Sequence, residues 1–284
     1  MRLLLLIILS LMPFCLKAGQ VVYTSSDSMK IVRLLDEASK MHADRNAVLY
    51  FAKKFIGCQY VAHTLEVNEE ERLVVNASKL DCTTFVETVS ALAICAYKKL
   101  YSFDSFCMVL RNLRYREGGI NGYESRLHYF SEWITDNSQL GFVKEMQSPV
   151  PPFEGRQLID VCFMSEHPEY YKALKSNREL TDVIGDMEKR ISGSVRRFIP
   201  KAKVVNSGLM RNVVKDGDII AITCNTKGLD IAHVGFAVWK NGKLHLLHAS
   251  SKYKKVIEDP VELRTYLMRN KSFTGIRVIR ILKE

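Results

Sequence analysis

Cys82, His233 and His248 are the residues whose chemistry stands out in this sequence. A cysteine thiol next to a neutral imidazole is the arrangement of nucleophilic catalysis, because the imidazole can remove the thiol proton during attack. This chemistry requires that the fold bring the thiol and the histidines together. The elements of secondary structure that carry each of them therefore decide whether this chemistry is possible.

Cys82 is predicted in the first turn of a helix. Asp81 is a residue type that caps helix N-termini, and apolar residues then recur with helical spacing, at Phe85, Val86, Val89, Leu92 and Ala93. Free backbone N–H groups and the helix dipole favour a thiolate at this position. A small buried cysteine that merely begins a helix would show the same pattern, so the position needs a partner base to have catalytic meaning.

The partner histidines are predicted on a β-hairpin. Asn241-Gly242, between Lys240 and Lys243, is a strong signal for a two-residue type I′ turn. Such a turn fixes the register of the two strands, so that Lys240 faces Lys243.

This register places both histidines on one face of the hairpin. Gly235 lies opposite His248, and His233 opposite Ser250, so that the two histidines become diagonal neighbours roughly 7 Å apart at the backbone. Gly235 leaves space for the imidazole that faces it. His245 has the opposite parity and points away. Either histidine alone would be read as an ordinary sheet residue, but two on one face fit a partnership with the thiol of Cys82.

The remaining periodicity predicts an α+β fold, because helices come first and an antiparallel sheet follows. Residues 101–205 are predicted to form a mostly helical insertion within a single catalytic domain of residues 19–284. Helices are expected at 28–38, 44–56, 82–99, 103–116, 126–137, 167–175, 179–191 and 260–269, and strands at 218–223, 232–239, 244–249 and 275–282.

The N-terminus reads as a secretory signal peptide, residues 1–18, with basic Arg2, an apolar run at 3–11 and a cleavage site after Ala18. The alternatives are an uncleaved anchor or a lipoprotein signal at Cys15. The apolar run is shorter than the ~20 residues of a spanning helix, and Phe14 is too bulky to precede a lipidated cysteine. We expect an exported, periplasmic protein without a membrane span after processing.

The chain has 284 residues, of which 47% are hydrophobic and 25% charged, and a net charge of +10, which falls to +8 when Arg2 and Lys17 are removed. A basic exported protein could bind polyanions. The basic residues are scattered, however, with tight clusters at 196–197 and 252–255 only, so we expect no nucleic-acid partner. The mature chain is expected to be a monomer.

The six cysteines after residue 18 contain no Cys-x-x-Cys pair, so no metal or other cofactor is predicted. We expect free thiols, and a single disulfide stays open as an alternative.

Three motifs together resemble the NlpC/p60 superfamily of cell-wall hydrolases. They are Asp81-Cys82-Thr83-Thr84-Phe85, His233-Val234-Gly235-Phe236 and Leu247-His248-Ala249-Ser250. The resemblance implies a papain-like core with Cys82 as nucleophile, His233 as base and His248 as third member. The sequence departs from the usual superfamily pattern in two places. Thr83-Thr84 stands where Ser-Gly is common, and the 150 residues between Cys82 and His233 are far more than in compact members.

The long insertion, with the segments 73–76 and 125–133, resembles a larger subfamily described as N-acetylmuramoyl-L-alanine amidase-like. That resemblance implies peptidoglycan or muropeptide fragments as substrates. The bond cleaved would be the amide between the lactyl group of N-acetylmuramic acid and L-alanine of the stem peptide. Two alternatives stay open: a D-glutamyl–diamino acid endopeptidase of the same superfamily, and a non-enzymatic exported binding protein on the same core.

Three further residues are candidates for substrate binding. Tyr60 matches a tyrosine that often precedes the nucleophile in this superfamily. Arg126 and Trp133 fall on one side of the predicted 126–137 helix, where Arg126 would bind a carboxylate bidentately and Trp133 would stack on a sugar. The alternative is that this side, which includes Phe130, is an ordinary amphipathic core stripe.

Overall fold

The computed structural model describes residues 21–42 and 44–283. The predicted signal peptide at 1–18 lies outside the described residues. No helix within them has the length and apolar character needed to cross a membrane.

Six of the nine α-helices in the described residues begin at a polar side chain that accepts a free backbone N–H group. Thr24 and Asp27 form a capping box at the first helix, and Asp81 accepts the backbone N–H of Thr84 at 2.8 Å at the third. In chain order the helices are α1 (Ser25–Ser39), α2 (Ala47–Lys54), α3 (Cys82–Tyr97), α4 (Phe103–Arg114), α5 (Phe130–Gln139), α6 (Phe163–Glu166), α7 (Arg178–Ile191), α8 (Gly208–Val213) and α9 (Leu263–Met268).

The strands are β1 (Val21–Val22), β2 (Gln59–Tyr60), β3 (Leu73–Val74), β4 (Lys79–Leu80), β5 (Val143–Met146), β6 (Gly155–Leu158), β7 (Val195–Pro200), β8 (Ile219–Cys224), β9 (Ile231–Lys240), β10 (Lys243–Ser250), β11 (Lys255–Glu258) and β12 (Phe273–Ile281). Strands β1 and β3 form a small parallel pair. In the described part of the chain, the other ten form one sheet in the order β4-β2-β11-β10-β9-β8-β12-β7-β6, with β5 also paired to β12. All pairs in this sheet are antiparallel except β2 with β4.

The predicted hairpin is confirmed. Asn241 and Gly242 both have positive φ, 49° and 79°, as a type I′ turn requires. The register pairs Lys240 with Lys243 and continues to Phe236 opposite Leu247. Because side chains alternate, this register fixes which residues of β9 and β10 face the helices.

The two faces of the sheet are covered by different elements. Helix α3 packs on one face, where the rings of Phe85 and Phe236 meet edge to face with centroids 5.5 Å apart. Helix α9 covers the other face through Leu263 and Leu267. Each fully buried side chain of this size contributes about 1.5–3 kcal/mol to folding, so both helices are held firmly against the sheet.

The insertion differs from the prediction in three respects. It is not only helical, because β5, β6 and β7 add to the main sheet. The helix predicted at 126–137 begins only at Phe130, since Arg126 and Tyr129 are extended, with ψ of 141° and 132°. The helix predicted at 167–175 was wrong, because that segment holds only a short 3₁₀ turn at Pro168–Tyr170. The helix predicted at 179–191 is present as α7.

All six cysteines of the described residues are free, and Cys95, Cys107 and Cys224 are buried. The expectation of free thiols is confirmed, and the alternative of a single disulfide is wrong.

Candidate active site

Cys82 is the first residue of α3, directly after its cap. The thiol is half-buried and lies against the backbone N–H groups of Thr83 and Val234. Burial, and then the charge of Asp81, raise the pKa of the Cys82 thiol to about 11, although those N–H groups lower it. Burial therefore outweighs the helix terminus, which by itself favours a thiolate, and the thiol is neutral near neutral pH. A neutral thiol needs a base to remove its proton.

His233 and His248 form a pair on one face of the hairpin, as the register predicted. His233 Nε2 lies 2.6 Å from His248 Nδ1, and the two rings are perpendicular with centroids 4.9 Å apart. A Cβ on Gly235 would lie 2.9 Å from His248 Cβ, so only glycine fits there. Burial, and then His248, lower the pKa of His233 to about 3, so its ring is neutral near neutral pH.

Asp259 extends this pair on the side away from the thiol. Its Oδ2 lies 3.3 Å from His248 Nε2, and its Oδ1 accepts the backbone N–H of Val261 at 3.0 Å. Burial raises the pKa of the Asp259 carboxyl, but the hydrogen bonds from His248 and Val261 outweigh it, so the net pKa is lowered. Sequence reasoning missed Asp259, because a carboxylate just after a short strand carries no distinguishing pattern.

The thiol and the first histidine of the pair line one narrow cavity of about 160 Å³. Cys82 and His233 both line it, together with Thr83, Val234 and, from the insertion, residues that include Tyr129, Phe130 and Tyr171. The structure thus brings the predicted nucleophile and base to one cleft. His245 lies outside the cleft, where its Nδ1 contacts the Asp259 carbonyl oxygen at 3.0 Å.

Two larger cavities flank this cleft and carry opposite charge. One, of about 470 Å³, begins at His233 and His248 and is lined by Lys252, Arg269, Tyr253 and Tyr266 among others. The other, of about 720 Å³, lies along the insertion, and its acidic lining residues are Glu66, Glu69, Glu70, Glu71 and Glu124. Both have volumes that suit a substrate larger than a single sugar or amino acid.

Two tyrosines lie near the thiol. Tyr60 ends β2, and burial, followed by the charges of Cys82 and Asp81, raises the pKa of its phenol to about 12. Tyr266 of α9, which sequence reasoning missed, lies with its ring centroid 5.5 Å from that of His248. Burial, then Asp259 and Cys82, raise the pKa of Tyr266 to about 12. Both phenols are therefore protonated and can donate hydrogen bonds.

The structure does not leave Arg126 free to bind a carboxylate in the way predicted. Its guanidinium already forms a bidentate pair with Glu71, at 3.0 Å from Nε and 2.6 Å from Nη2. Its third nitrogen lies 4.0 Å from Glu66, and the side chain forms part of the wall of the acidic cavity.

Trp133 is fully buried and stacks on Phe130 with ring centroids 4.8 Å apart. The predicted sugar contact of Trp133 was wrong, because its indole has no exposed face. The amphipathic core stripe accounts for this residue.

Within residues 21–42 and 44–283, no group of three or more His, Cys, Asp or Glu side chains converges in the manner of a metal site.

Comparison with known proteins agrees with this geometry. A sequence model of the AmiA-like family, described as N-acetylmuramoyl-L-alanine amidase-like, matches residues 50–276. The chain belongs to this family. The match includes the thiol, both histidines, Asp259 and Tyr266.

Several solved structures are similar to this chain. An N-acetylmuramoyl-L-alanine amidase from Bacteroides uniformis is 40% identical, with a TM-score of 0.78 over 86% of this chain and 99% of its own. A putative xylanase from Bacteroides fragilis is 42% identical, with a TM-score of 0.77 over 82% and 100%. A Legionella pneumophila protein, 22% identical over 90% and 95% with a TM-score of 0.69, shares the fold. No curated protein matches the chain.

Proposed function

We propose that the protein hydrolyses the amide between N-acetylmuramic acid and L-alanine of peptidoglycan fragments, with Cys82 as the nucleophile. The observation that carries this proposal is that Cys82 and His233 line one cleft, while His233 contacts His248 and His248 contacts Asp259, in a chain that belongs to the N-acetylmuramoyl-L-alanine amidase-like family. We infer that the core is papain-like, of the NlpC/p60 type, and that the protein acts in the periplasm.

The reaction begins with proton transfer. His233 uses Nε2 for its contact with His248, so Nδ1 is the nitrogen that receives the Cys82 proton. The sulfur attacks the lactyl carbonyl carbon and forms a tetrahedral intermediate. The backbone N–H of Cys82 and the hydroxyl of Tyr60 are the donors proposed for its oxyanion.

The intermediate then collapses. The carbon–nitrogen bond breaks, the imidazolium of His233 gives its proton to the leaving amine of L-alanine, and a thioester remains on Cys82. Water attacks the thioester while His233 removes its proton, which releases the lactyl carboxylate and restores the thiol. His248 is a positioning residue in this scheme, because it acts through His233.

Hydrolysis of xylan, the activity suggested by the name of the Bacteroides fragilis relative, has less support. Glycoside hydrolysis generally uses two carboxylates that flank the scissile bond. Among the described residues that line the narrow cleft, only Asp230 carries a carboxylate, and its Oδ2 accepts the backbone N–H of Ser131 at 2.6 Å. The thiol and imidazole instead fit acyl transfer.

Mass spectrometry of digested muropeptides tests the proposal. The expected product is free intact stem peptide. An L-alanine–D-glutamate stub left on the sugar would instead establish the alternative D-glutamyl–diamino acid endopeptidase.

Variants of the same cleft separate catalysis from binding. Cys82→Ala should abolish product release, His233→Ala should be nearly as damaging, and His248→Asn should leave a fraction of it. His245→Ala is the matched control, since its ring contacts the backbone carbonyl oxygen of Asp259 and not the histidine pair, and it should retain activity. Activity in Cys82→Ala would contradict cysteine catalysis, and a wild-type protein that binds muropeptides without cleaving them would favour the non-enzymatic alternative.

A further inference from the structure

The contacts of Asp259 determine where the protons of the two histidines lie. An ionised carboxylate only accepts hydrogen bonds, so His248 must donate from Nε2 to Asp259 Oδ2 at 3.3 Å. In a neutral ring the other nitrogen is then an acceptor. His248 Nδ1 therefore accepts the hydrogen bond of 2.6 Å from His233 Nε2–H. By the same logic Nδ1 of His233 has no proton.

We propose that Asp259 is the positioning residue that makes His233 a base toward Cys82. The inference rests on the proposed function and adds a fourth residue behind the proposed nucleophile, base and third member. Asp259 does not touch the reacting atoms; it acts through two ring tautomers. Because it is 4% exposed and its partners are fixed, it holds His248 in one tautomer, and His248 holds His233 in the tautomer with a free Nδ1 lone pair.

The surroundings of Asp259 make an asparagine variant especially informative. In the wild type, Oδ1 accepts the Val261 backbone N–H at 3.0 Å, while Oδ2 accepts from His248. An asparagine has one oxygen and one NH₂ group for these two positions. The Val261 N–H can only donate, so the oxygen must face it. The NH₂ group is left facing His248 Nε2.

Asp259→Asn should therefore switch both histidines to the other neutral tautomer. The NH₂ group donates to His248 Nε2, which moves the proton of His248 to Nδ1. His248 then donates to His233 Nε2, and the proton of His233 moves to Nδ1, where it faces the thiol. The base is lost although every heavy atom can keep its place. Since a general base contributes about 10²–10⁴-fold, we expect a loss of that size in kcat/KM.

Asp259→Ala should be less damaging to catalysis than Asp259→Asn. The alanine removes the acceptor but imposes no donor, so His248 still populates the tautomer that accepts from His233. A purely structural role predicts the opposite order, because alanine leaves a gap and an unpaired Val261 N–H, whereas asparagine preserves both shape and that hydrogen bond. The order of the two variants thus distinguishes the two roles.

The experiment combines kinetics with ¹⁵N NMR of histidine-labelled full-length protein. The wild type should carry its ring protons on Nε2 of His233 and of His248, and Asp259→Asn should carry both on Nδ1. Kinetics should rank the wild type above Asp259→Ala, and Asp259→Ala above Asp259→Asn. In a His248→Asn background, the further change Asp259→Asn should have little effect, because the connecting ring is gone.

The inference is overturned if Asp259→Asn leaves both tautomers unchanged, or if Asp259→Ala proves the more damaging variant. The tautomer measurement needs no substrate. It therefore still decides the role of Asp259 if Cys82→Ala retains activity and the proposed function fails.

Discussion

Gly235→Ala tests whether the histidine pair must hold the position given by the hairpin register. The new Cβ would lie 2.9 Å from both His248 Cβ and the Leu247 carbonyl oxygen, whereas ordinary contacts are 3.4–4 Å. The neighbours must therefore move by about 0.5–1 Å. His248 contacts His233 at 2.6 Å, so this movement is passed directly to the base.

The substitution is expected to reduce both catalysis and stability. A misplacement of about 1 Å in a catalytic array reduces the rate by about 10²-fold, so we expect kcat/KM to fall about 10- to 100-fold. This equals about 1.4–2.7 kcal/mol of transition-state stabilisation. The overpacked contact should also lower the free energy of unfolding by about 1–3 kcal/mol.

The assay is the rate of stem-peptide release from a purified muropeptide, with thermal unfolding of the same samples as the measure of stability. Gly242→Ala is the matched control in the same hairpin. Gly242 has φ of 79°, so alanine is strained there, but its Cβ would meet nothing within 4 Å. The control should lose stability and keep its kcat/KM. Wild-type kcat/KM in a folded Gly235→Ala variant, or an equal loss in both variants, would refute the reasoning.

Four further predictions concern pH and packing. The folded pKa of His233, about 3, lies below its ordinary 6.5, so its contribution to stability is complete above 6.5 and is lost as the pH falls toward 3. Urea unfolding across this range should show the loss of stability, and this loss should be smaller in His233→Gln. Parallel curves of stability against pH for the wild type and the variant would contradict the prediction. Iodoacetamide labelling of Cys82, followed by mass spectrometry, should keep accelerating above pH 9.0, because burial raises its pKa to about 11, and a plateau near neutral pH would contradict this. Arg114→Met should lower the free energy of unfolding by about 3–5 kcal/mol, since it leaves the buried carboxyl of Glu87 without its partner, and adding Glu87→Leu should recover much of the loss in urea titrations. Trp133→Phe should lower stability by about 0.5–3 kcal/mol in the same assay and leave kcat/KM unchanged, and a large fall in kcat/KM would restore a substrate role for Trp133.

The parts of the site that sequence could predict are those set by local geometry. The two-residue turn at Asn241-Gly242 fixes the register, and alternation of side chains then places His233 and His248 together. Asp81 likewise identifies the start of the helix that carries Cys82. These inferences need only neighbouring residues, which is why they agree with the structure.

The parts that sequence could not predict depend on contacts between distant residues. The partner of Arg126 is Glu71, 55 positions earlier, and nothing local indicates that this carboxylate occupies the guanidinium. Strands β5–β7 have mixed polar composition, and they form because the edge of a large sheet offers them backbone partners. The pKa of Cys82 was likewise set by tertiary burial, which outweighs the helix terminus visible in the sequence.

The charges of Cys82 and His233 before the reaction indicate at which step Asp259 would act. The thiol and the imidazole are both neutral at rest, since the pKa of Cys82 is raised to about 11 and that of His233 lowered to about 3. In the proposed reaction, positive charge appears on His233 only as the sulfur attacks. The carboxylate of Asp259, two hydrogen bonds away, then stabilises a charge that the ground state lacks. Interactions that strengthen only in the transition state raise kcat rather than lower KM. Substitutions at Asp259 should therefore reduce kcat and leave KM nearly unchanged, and a change confined to KM would show that Asp259 acts on substrate binding instead.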